Sequence, residues 1–198
     1  MRRPLSLSGP GIAVVAALAA TAGLAAGCGG GTRQDAGEKD ASYRVRVVDA
    51  RFPRNQGLAD TVPLSITVRN TGTATIPNVA MTVDGFNYIS TQPDNADPQR
   101  PVWIVNLGPR NGVTAYVNTW ALGPLAAGRA RTFRWLVTAA SAGTHTLHYR
   151  VAAGLNGNAR AVTAGDQAPE GDLTARVTQR PRISKVDPKT GRVVSVGQ

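Results

Sequence analysis

The sequence predicts an all-β domain with two packed antiparallel sheets, and three observations support this. Apolar and polar residues alternate in several short segments, which is the period of a strand with one buried face. Turn-forming residues separate these segments at short intervals, and after residue 27 no stretch keeps an apolar period of 3.6. Seven to nine short strands of this kind are typical of a β-sandwich.

The clearest predicted strand runs from Val62 to Val68, where every second residue is apolar. Asn70-Thr71-Gly72 follows it as a turn signal. Asn156-Gly157 is a strong hairpin signal, and the segments 160–163 and 173–178 are expected to close the sheet. Similar apolar runs predict further strands that start near Tyr43, Val79, Val102, Val113, Phe133 and Leu147.

The first 27 residues have the organisation of an export signal. Arg2 and Arg3 give a positive start, residues 4–27 carry no charged side chain, and the stretch from Ile12 to Ala26 is mostly Ala, Val and Leu. This order is typical of a secretory signal peptide, and the apolar core is short and weakly hydrophobic for a membrane span. An uncleaved membrane anchor and, from the Arg2-Arg3 pair, a twin-arginine export signal remain as alternatives.

The segment Leu24-Ala25-Ala26-Gly27-Cys28 resembles the lipobox of bacterial lipoproteins, with Ala25 where that motif commonly has Leu. The resemblance implies that Cys28 receives a diacylglycerol with acyl chains such as palmitate, and that the chain is cut just before it. It also implies a cell-membrane location that faces the extracytoplasmic side, at the cell surface or in a periplasm. Cys28 is the only cysteine, so none is left for a disulfide, and the domain is expected to depend on its core.

Composition divides the rest of the chain into three parts. Residues 28–41 are rich in glycine and charge, which predicts a flexible tether. Residues 42–178 contain the predicted sandwich, with an insertion near 87–100. Residues 179–198 are predicted to be a basic C-terminal tail or a small hairpin around Asp187 to Gly191.

Several segments resemble the bacterial modules of the CARDB and DUF11 type over about Val62 to Gly154. The resemblance implies an immunoglobulin-like fold at or outside the cell envelope, in adhesion, assembly or spacer roles, and implies no catalytic site. The segments that carry it are Leu64 to Gly72, Ile76 to Val83, Leu122 to Gly128, Phe133 to Val137 and Gly143 to Val151.

Residues suited to metal binding are scarce. His145 and His148 stand three apart on a predicted strand, so they point to opposite faces and cannot chelate one ion. Asp94 and Asp97 could offer oxygen ligands to calcium, but between two prolines they also fit ordinary turns. Met81 is the only methionine after residue 27, so the soft ligands of a copper site are lacking. We therefore expect no metal.

No hydrolase, phosphate-binding or dinucleotide-binding motif is present. We accordingly expect no catalytic residues, no cofactor and no enzyme activity. Three tryptophans could instead form a stacking or sugar-binding face. Trp135 alternates with Phe133, and Trp120 precedes an expected corner, so core packing is the favoured interpretation for both, whereas Trp103 is left open.

Basic charge is concentrated near the C-terminus. The whole chain carries 22 basic and 12 acidic residues. Residues 1–27 hold two of the basic ones, so the mature chain has 20 − 12 = +8. Between residues 176 and 192 six basic residues face one acid, Asp187, a net of +5. A solvated tail is the favoured interpretation of these six residues, and contact with lipid headgroups or an anionic wall polymer is the alternative. The six are Arg176, Arg180, Arg182, Lys185, Lys189 and Arg192.

These features together predict a lipid-anchored cell-envelope protein with a non-catalytic binding or structural role in adhesion or assembly. Its expected partners are the membrane, through the lipid, and an anionic polymer, headgroups or another envelope protein, but no nucleic acid. The alternative is a carrier that holds a small ligand between the sandwich and the 87–100 insertion, which would require a closed apolar pocket there.

Overall fold

The computed structural model describes residues 37–91, 96, 98–180 and 184–195, with residues 184–185 and 193–195 described by their backbone alone. The described residues contain strands, turns and loops. None of them belongs to a helix that is long and apolar enough to span a bilayer.

Eleven strands of the described chain form two sheets. The five-stranded sheet has the order β12 (Ala159–Val162), β1 (Ala41–Arg51), β3 (Thr61–Asn70), β10 (Ala130–Ala139), β7 (Trp103–Leu107). The six-stranded sheet has the order β2 (Asn55–Gly57), β13 (Glu170–Thr178), β11 (Gly143–Ala152), β4 (Ala80–Asp84), β9 (Thr119–Ala121), β8 (Val113–Tyr116). Separate hairpins are formed by β5 (Asn87–Ile89) with β6 (Gln99–Pro101) and by β14 (Ser184–Val186) with β15 (Val193–Ser195).

The strand order confirms the predicted immunoglobulin-like sandwich. The strands β1-β3-β10-β7 occupy the A-B-E-D positions of that fold, and β13-β11-β4 occupy the G-F-C positions. The connectivity differs in two respects. The strand at the D position, β7, precedes β9, the strand beside β4, and β12 is inserted between β11 and β13 and pairs with β1 in the other sheet. The pairing is antiparallel except at one edge of each sheet, where β12 runs parallel to β1 and β2 runs parallel to β13.

The core lies between the sheets and follows the alternation read from the sequence. Leu64, Ile66 and Val68 of β3 are fully buried, as are Phe133 of β10 and Leu147 of β11. The intervening residues of β3 and β10 point outward, and two of them, Thr67 and Thr132, join their hydroxyl oxygens at 2.9 Å across the strands. The burial of this apolar layer is the main source of stability for a domain with no disulfide.

Asn70 has a structural role, and it belongs to the segment from Leu64 to Gly72 that resembles the CARDB-type modules. Its side chain is fully buried and donates to the carbonyl oxygens of Ala74 at 2.8 Å and Leu125 at 2.9 Å. Its own Oδ1 accepts from the Gly72 backbone N–H at 3.0 Å. One amide thus satisfies three backbone groups at the end of β3, which makes Asn70 a structural residue of this corner.

Three sequence expectations were wrong in detail. Asn156-Gly157 does not close a hairpin, because the next strand, β12, pairs with β1 in the other sheet. The run from Val113 to Ala121 is two strands rather than one, and it turns at Asn118, which has a φ of 58°. The described chain has more than nine strands because the short edge strands are three or four residues long, too short to show alternation.

Candidate functional site

The predicted contact residues are only partly within the described chain. Cys28, the predicted lipidation site, and Arg182 lie outside the described residues, and Lys185 is described by its backbone alone. Arg176 is exposed on β13, opposite Asn55 of β2, and Arg180 follows the end of that strand. These two arginines line one shallow groove together with Thr144 and Thr178.

Lys189 and Arg192 lie in the hairpin of β14 and β15, whose turn is organised by Asp187. The Asp187 carboxylate accepts from the Thr190 hydroxyl at 2.7 Å and from the Lys189 backbone N–H at 2.9 Å. The Thr190 hydrogen bond, followed by that of Lys189, lowers the pKa of Asp187. Its negative charge is therefore retained inside the basic segment.

The two ends of the sandwich differ in what they connect to. The domain begins at one end with Ala41, whose backbone N–H donates to the Asn158 carbonyl. At the other end, just beyond Arg51, the Arg54 carbonyl accepts from the Arg176 N–H at 2.7 Å. The basic C-terminal segment thus leaves the sandwich at the end opposite to the one where the chain enters.

The histidines point to opposite faces, as expected. His145 packs half-buried against Trp103, with ring centroids 5.7 Å apart. His148 lies on the outer face of the six-stranded sheet, where its Nδ1 is 2.8 Å from Asp172 Oδ1 and its Nε2 is 3.6 Å from Glu170 Oε2. Burial, and secondly the charge of Asp172, raise the pKa of the neighbouring Tyr149.

All three tryptophans are core residues. Trp135 packs between the sheets with 2% of its surface exposed, and Trp120 contacts it edge-on. Trp103, which the sequence left open, is 1% exposed and donates from Nε1 to the buried Gln56 Oε1 at 2.8 Å. No stacking face is therefore made from these rings.

The insertion contributes an exposed hairpin whose base is packed into the core. The residues of β5 and β6 are exposed, whereas Phe86 and Val102 at the base of the hairpin are 2% exposed and belong to the core. Asp94 and Asp97, the calcium candidates, lie outside the described residues. Within the described ranges, no group of three or more His, Cys, Asp or Glu side chains is arranged to hold a metal ion.

The outer face of the five-stranded sheet carries a cluster of arginines that the sequence reasoning missed. Six arginines project from it, and the strands of this face contribute one acid, Asp49, so the net charge is 6 − 1 = +5. We call this surface the arginine face. Its members are Arg44, Arg46, Arg51, Arg69, Arg134 and Arg160.

Strand register places several of these arginines side by side. Arg46 of β1 lies directly opposite Arg69 of β3. On another rung of the sheet, Ser65 of β3 lies between Arg51 of β1 and Arg134 of β10. Like charges directly opposite one another destabilise a sheet, so the Arg46–Arg69 pair costs some stability.

Half of the arginine face is neutralised within the domain. Arg51 pairs with Asp49 at 2.9 Å, Arg160 with Asp40 at 3.1 Å and Arg44 with Asp166 at 3.8 Å. By contrast, Arg46, Arg69 and Arg134 have no ion pair within 4 Å among the described residues. Three guanidinium groups are therefore available to an external anion.

The opposite face of the sandwich has the opposite balance. The strands of the six-stranded sheet carry three acids and two arginines, which gives 2 − 3 = −1 with neutral histidine. Arg150 pairs there with Asp84 at 3.8 Å. The positive potential of the sandwich is thus one-sided. The charged residues of this face are Asp84, Arg150, Glu170, Asp172 and Arg176.

The alternation of inward and outward residues along a strand is enough to predict part of the arginine face. Arg44 and Arg46 alternate with the buried Val45, so their outward direction follows from the sequence. Their neighbours follow only from the pairing of β1 with β3, whose register shifts at a bulge between Val47 and Asp49. Such a bulge has no marker in this segment of sequence.

No family model and no curated protein matches this sequence. Similar solved structures include a CARDB domain of Pyrococcus furiosus in complex with di-metal ions, at 12% identity over 70% of this chain and 96% of that one, with a TM-score of 0.43. Escherichia coli alpha-2-macroglobulin, from domain MG7 to the C-terminus, is 14% identical over 77% of this chain and 21% of that one, with a TM-score of 0.40. The alkylpurine DNA glycosylase AlkC of Pseudomonas fluorescens, bound to DNA, is 14% identical over 68% and 30%, with a TM-score of 0.36. Likenesses at this level assign no ligand, and the fold assignment here rests on strand order and pairing.

Proposed function

We propose that this chain is a lipid-anchored, extracytoplasmic protein whose immunoglobulin-like domain has a non-catalytic binding or structural role in the cell envelope. The observation that carries the proposal is the lipobox-like segment that ends at Cys28, about 13 residues before the first strand at Ala41. An acylated cysteine followed by a glycine-rich spacer and a compact sandwich is the arrangement that displays a domain next to a membrane.

The described side chains favour binding at a surface over the carrier alternative. Phe86, Val102 and Trp103, at the base of the hairpin that precedes β7, are packed into the core. These are the apolar side chains that a closed pocket under the insertion would need for its lining. The outer sheet faces, in contrast, carry charged groups that an external partner can reach.

The anchor is tested by Cys28→Ala in the cell that makes the protein. We expect the variant to lose incorporation of a fatty-acid probe and to accumulate with its first 27 residues attached, because acylation of the thiol precedes cleavage in the lipoprotein class. Ser42→Ala, which keeps the thiol, is the control and should label normally. Normal labelling and processing of Cys28→Ala would contradict the anchor.

The basic C-terminal segment is proposed as a second point of contact with anionic surfaces. Its test is a chain that stops at Thr178, the last residue of β13, whose carbonyl accepts from the Leu58 N–H and so keeps the pairing with β2. For the domain without its lipid, weaker salt-sensitive association with anionic vesicles or wall material is the expected result. Unchanged association would leave residues 179–198 as a solvated tail.

A further inference from the structure

We infer that the arginine face docks on the anionic headgroups of the membrane that holds the lipid anchor. The inference rests on the proposed function, and it assigns the principal anionic contact to the sandwich itself rather than to residues 176–192. The surface involved is the outer side of β12, β1, β3 and β10.

The first support is the unneutralised charge. Arg46 and Arg69 lie directly opposite each other on the adjacent strands β1 and β3. Neither has an ion pair within 4 Å in the described chain. An anion that lies over both guanidinium groups relieves their repulsion and gains charge-assisted hydrogen bonds. A guanidinium group binds phosphate oxygens in a planar, two-pronged manner, which suits a phospholipid headgroup.

The second support is the layout of the face. Arg69 and Ser65 are four residues apart on β3, so the Arg46–Arg69 rung and the Arg51–Ser65–Arg134 rung are separated by about 13 Å. The rung between them carries Asp49, Thr67 and Thr132. The Asp49 carboxylate is paired with Arg51 at 2.9 Å, and the two threonines are short, so the longer arginine side chains of both rungs can reach one plane of headgroups.

The third support is the point where the chain enters. Arg44 and Arg46 are among the first outward residues of β1, and Arg160 lies beside them on β12, opposite Ser42. The residues from Cys28 to Ala41 can span at most about 45 Å when extended. Headgroups around the anchor are therefore within reach of the end of the face that carries Arg44, Arg46 and Arg160.

The size of the effect follows from the number of free arginines. Each arginine near an anionic bilayer shifts the docking equilibrium roughly fivefold, so removal of three charges should weaken docking on the order of a hundredfold. The attraction should also fade when salt shortens the Debye length from about 10 Å at 0.1 M to about 3 Å at 1 M.

The experiment uses the full-length, lipidated chain in vesicles of phosphatidylcholine with or without phosphatidylglycerol. Thr67→Cys places a unique free thiol in the middle of the arginine face, and Thr146→Cys does the same on the six-stranded sheet. Both threonines are outward and share their hydroxyls with a cross-strand threonine, Thr132 at 2.9 Å and Thr174 at 3.0 Å, so the two labels are matched. A fluorophore on each thiol reports docking through quenching by a spin-labelled headgroup.

We expect quenching at position 67 and not at position 146, only in the anionic vesicles, and reversed by high salt. The variant Arg46→Gln/Arg69→Gln/Arg134→Gln should lose it. The variant Arg54→Gln/Arg110→Gln/Arg150→Gln removes the same charge from exposed positions elsewhere and should keep it, as should the chain that stops at Thr178.

Equal quenching at both positions, or equal loss in both triple variants, would overturn the inference, because nonspecific attraction by net charge predicts that result. A response of the position 67 label to isolated anionic wall polymer, without a response to anionic vesicles, would overturn it in favour of a polymer ligand. Failure of the proposed function is separable, since a chain without the anchor would not float with the neutral phosphatidylcholine vesicles.

Discussion

At the residue scale, Trp103 and Trp135 show how differently two buried tryptophans can contribute. Trp103 Nε1 donates to Gln56 Oε1 at 2.8 Å, and Gln56 is itself 2% exposed. Trp135 Nε1 is buried and has no hydrogen-bond partner among the described residues. The first indole therefore satisfies a buried acceptor, while the second is held by its packing against Trp120 and Phe133.

This difference predicts unequal costs for the same substitution. Trp103→Phe and Trp135→Phe remove similar volumes, but only Trp103→Phe leaves a buried amide oxygen without its donor. We expect Trp103→Phe to lower the free energy of unfolding by about 1–3 kcal/mol more than Trp135→Phe does. Urea denaturation of both variants measures the difference, and equal losses would show that the Gln56 contact contributes nothing.

Gly85 supports a second prediction at this scale. Its φ is +99°, and a β-carbon there would overlap the Thr146 carbonyl oxygen of the adjacent strand. Gly157 has a similar φ of +87° but open space around it. Gly157→Ala should cost about 1–2 kcal/mol from backbone strain, and Gly85→Ala should cost more than ~4 kcal/mol or prevent folding. Thermal unfolding of the pair checks this, and similar melting temperatures would contradict it.

At the scale of the element, the stability cost of a substitution in a strand depends on whether the residue points into the core or outward. Ile66 of β3 is fully buried, so Ile66→Asp places an unpaired charge in the core and should cost more than ~4 kcal/mol. Ser65 points outward between Arg51 and Arg134, so Ser65→Asp should change stability by no more than ~0.5 kcal/mol. Equilibrium unfolding measures both, and comparable damage from the two variants would mean that the parity of β3 is wrong.

The long strands could be predicted from the sequence and the short ones could not, for a physical reason. A strand such as β3 buries one face, so its own sequence must alternate. The three residues of β2 are Asn, Gln and Gly, and they form a strand only because β13 lies beside them. The hairpin expected at Asn156-Gly157 was wrong for a related reason. The chain does bend there, with Gly157 at positive φ, but the next strand pairs with the distant β1 and not with the preceding strand.

At the scale of the whole molecule, the distribution of charge over the folded surface differs from its distribution along the sequence. The sequence places +5 of the mature +8 between residues 176 and 192. Folding assembles a second basic surface from four strands and sets a face of net −1 on the other side of the sandwich. Arg46 and Arg134 are far apart in sequence, so no local reading could join them. The sequence therefore predicted the basic C-terminal segment but not the arginine face.

Mass spectrometry of the mature N-terminal peptide, taken from the native membrane fraction, tests whether the domain is displayed from a lipid on Cys28. We expect a peptide that begins at Cys28 and carries the added mass of a thioether-linked diacylglycerol. A mature chain that begins at any other residue, or an unmodified Cys28 thiol, would contradict it.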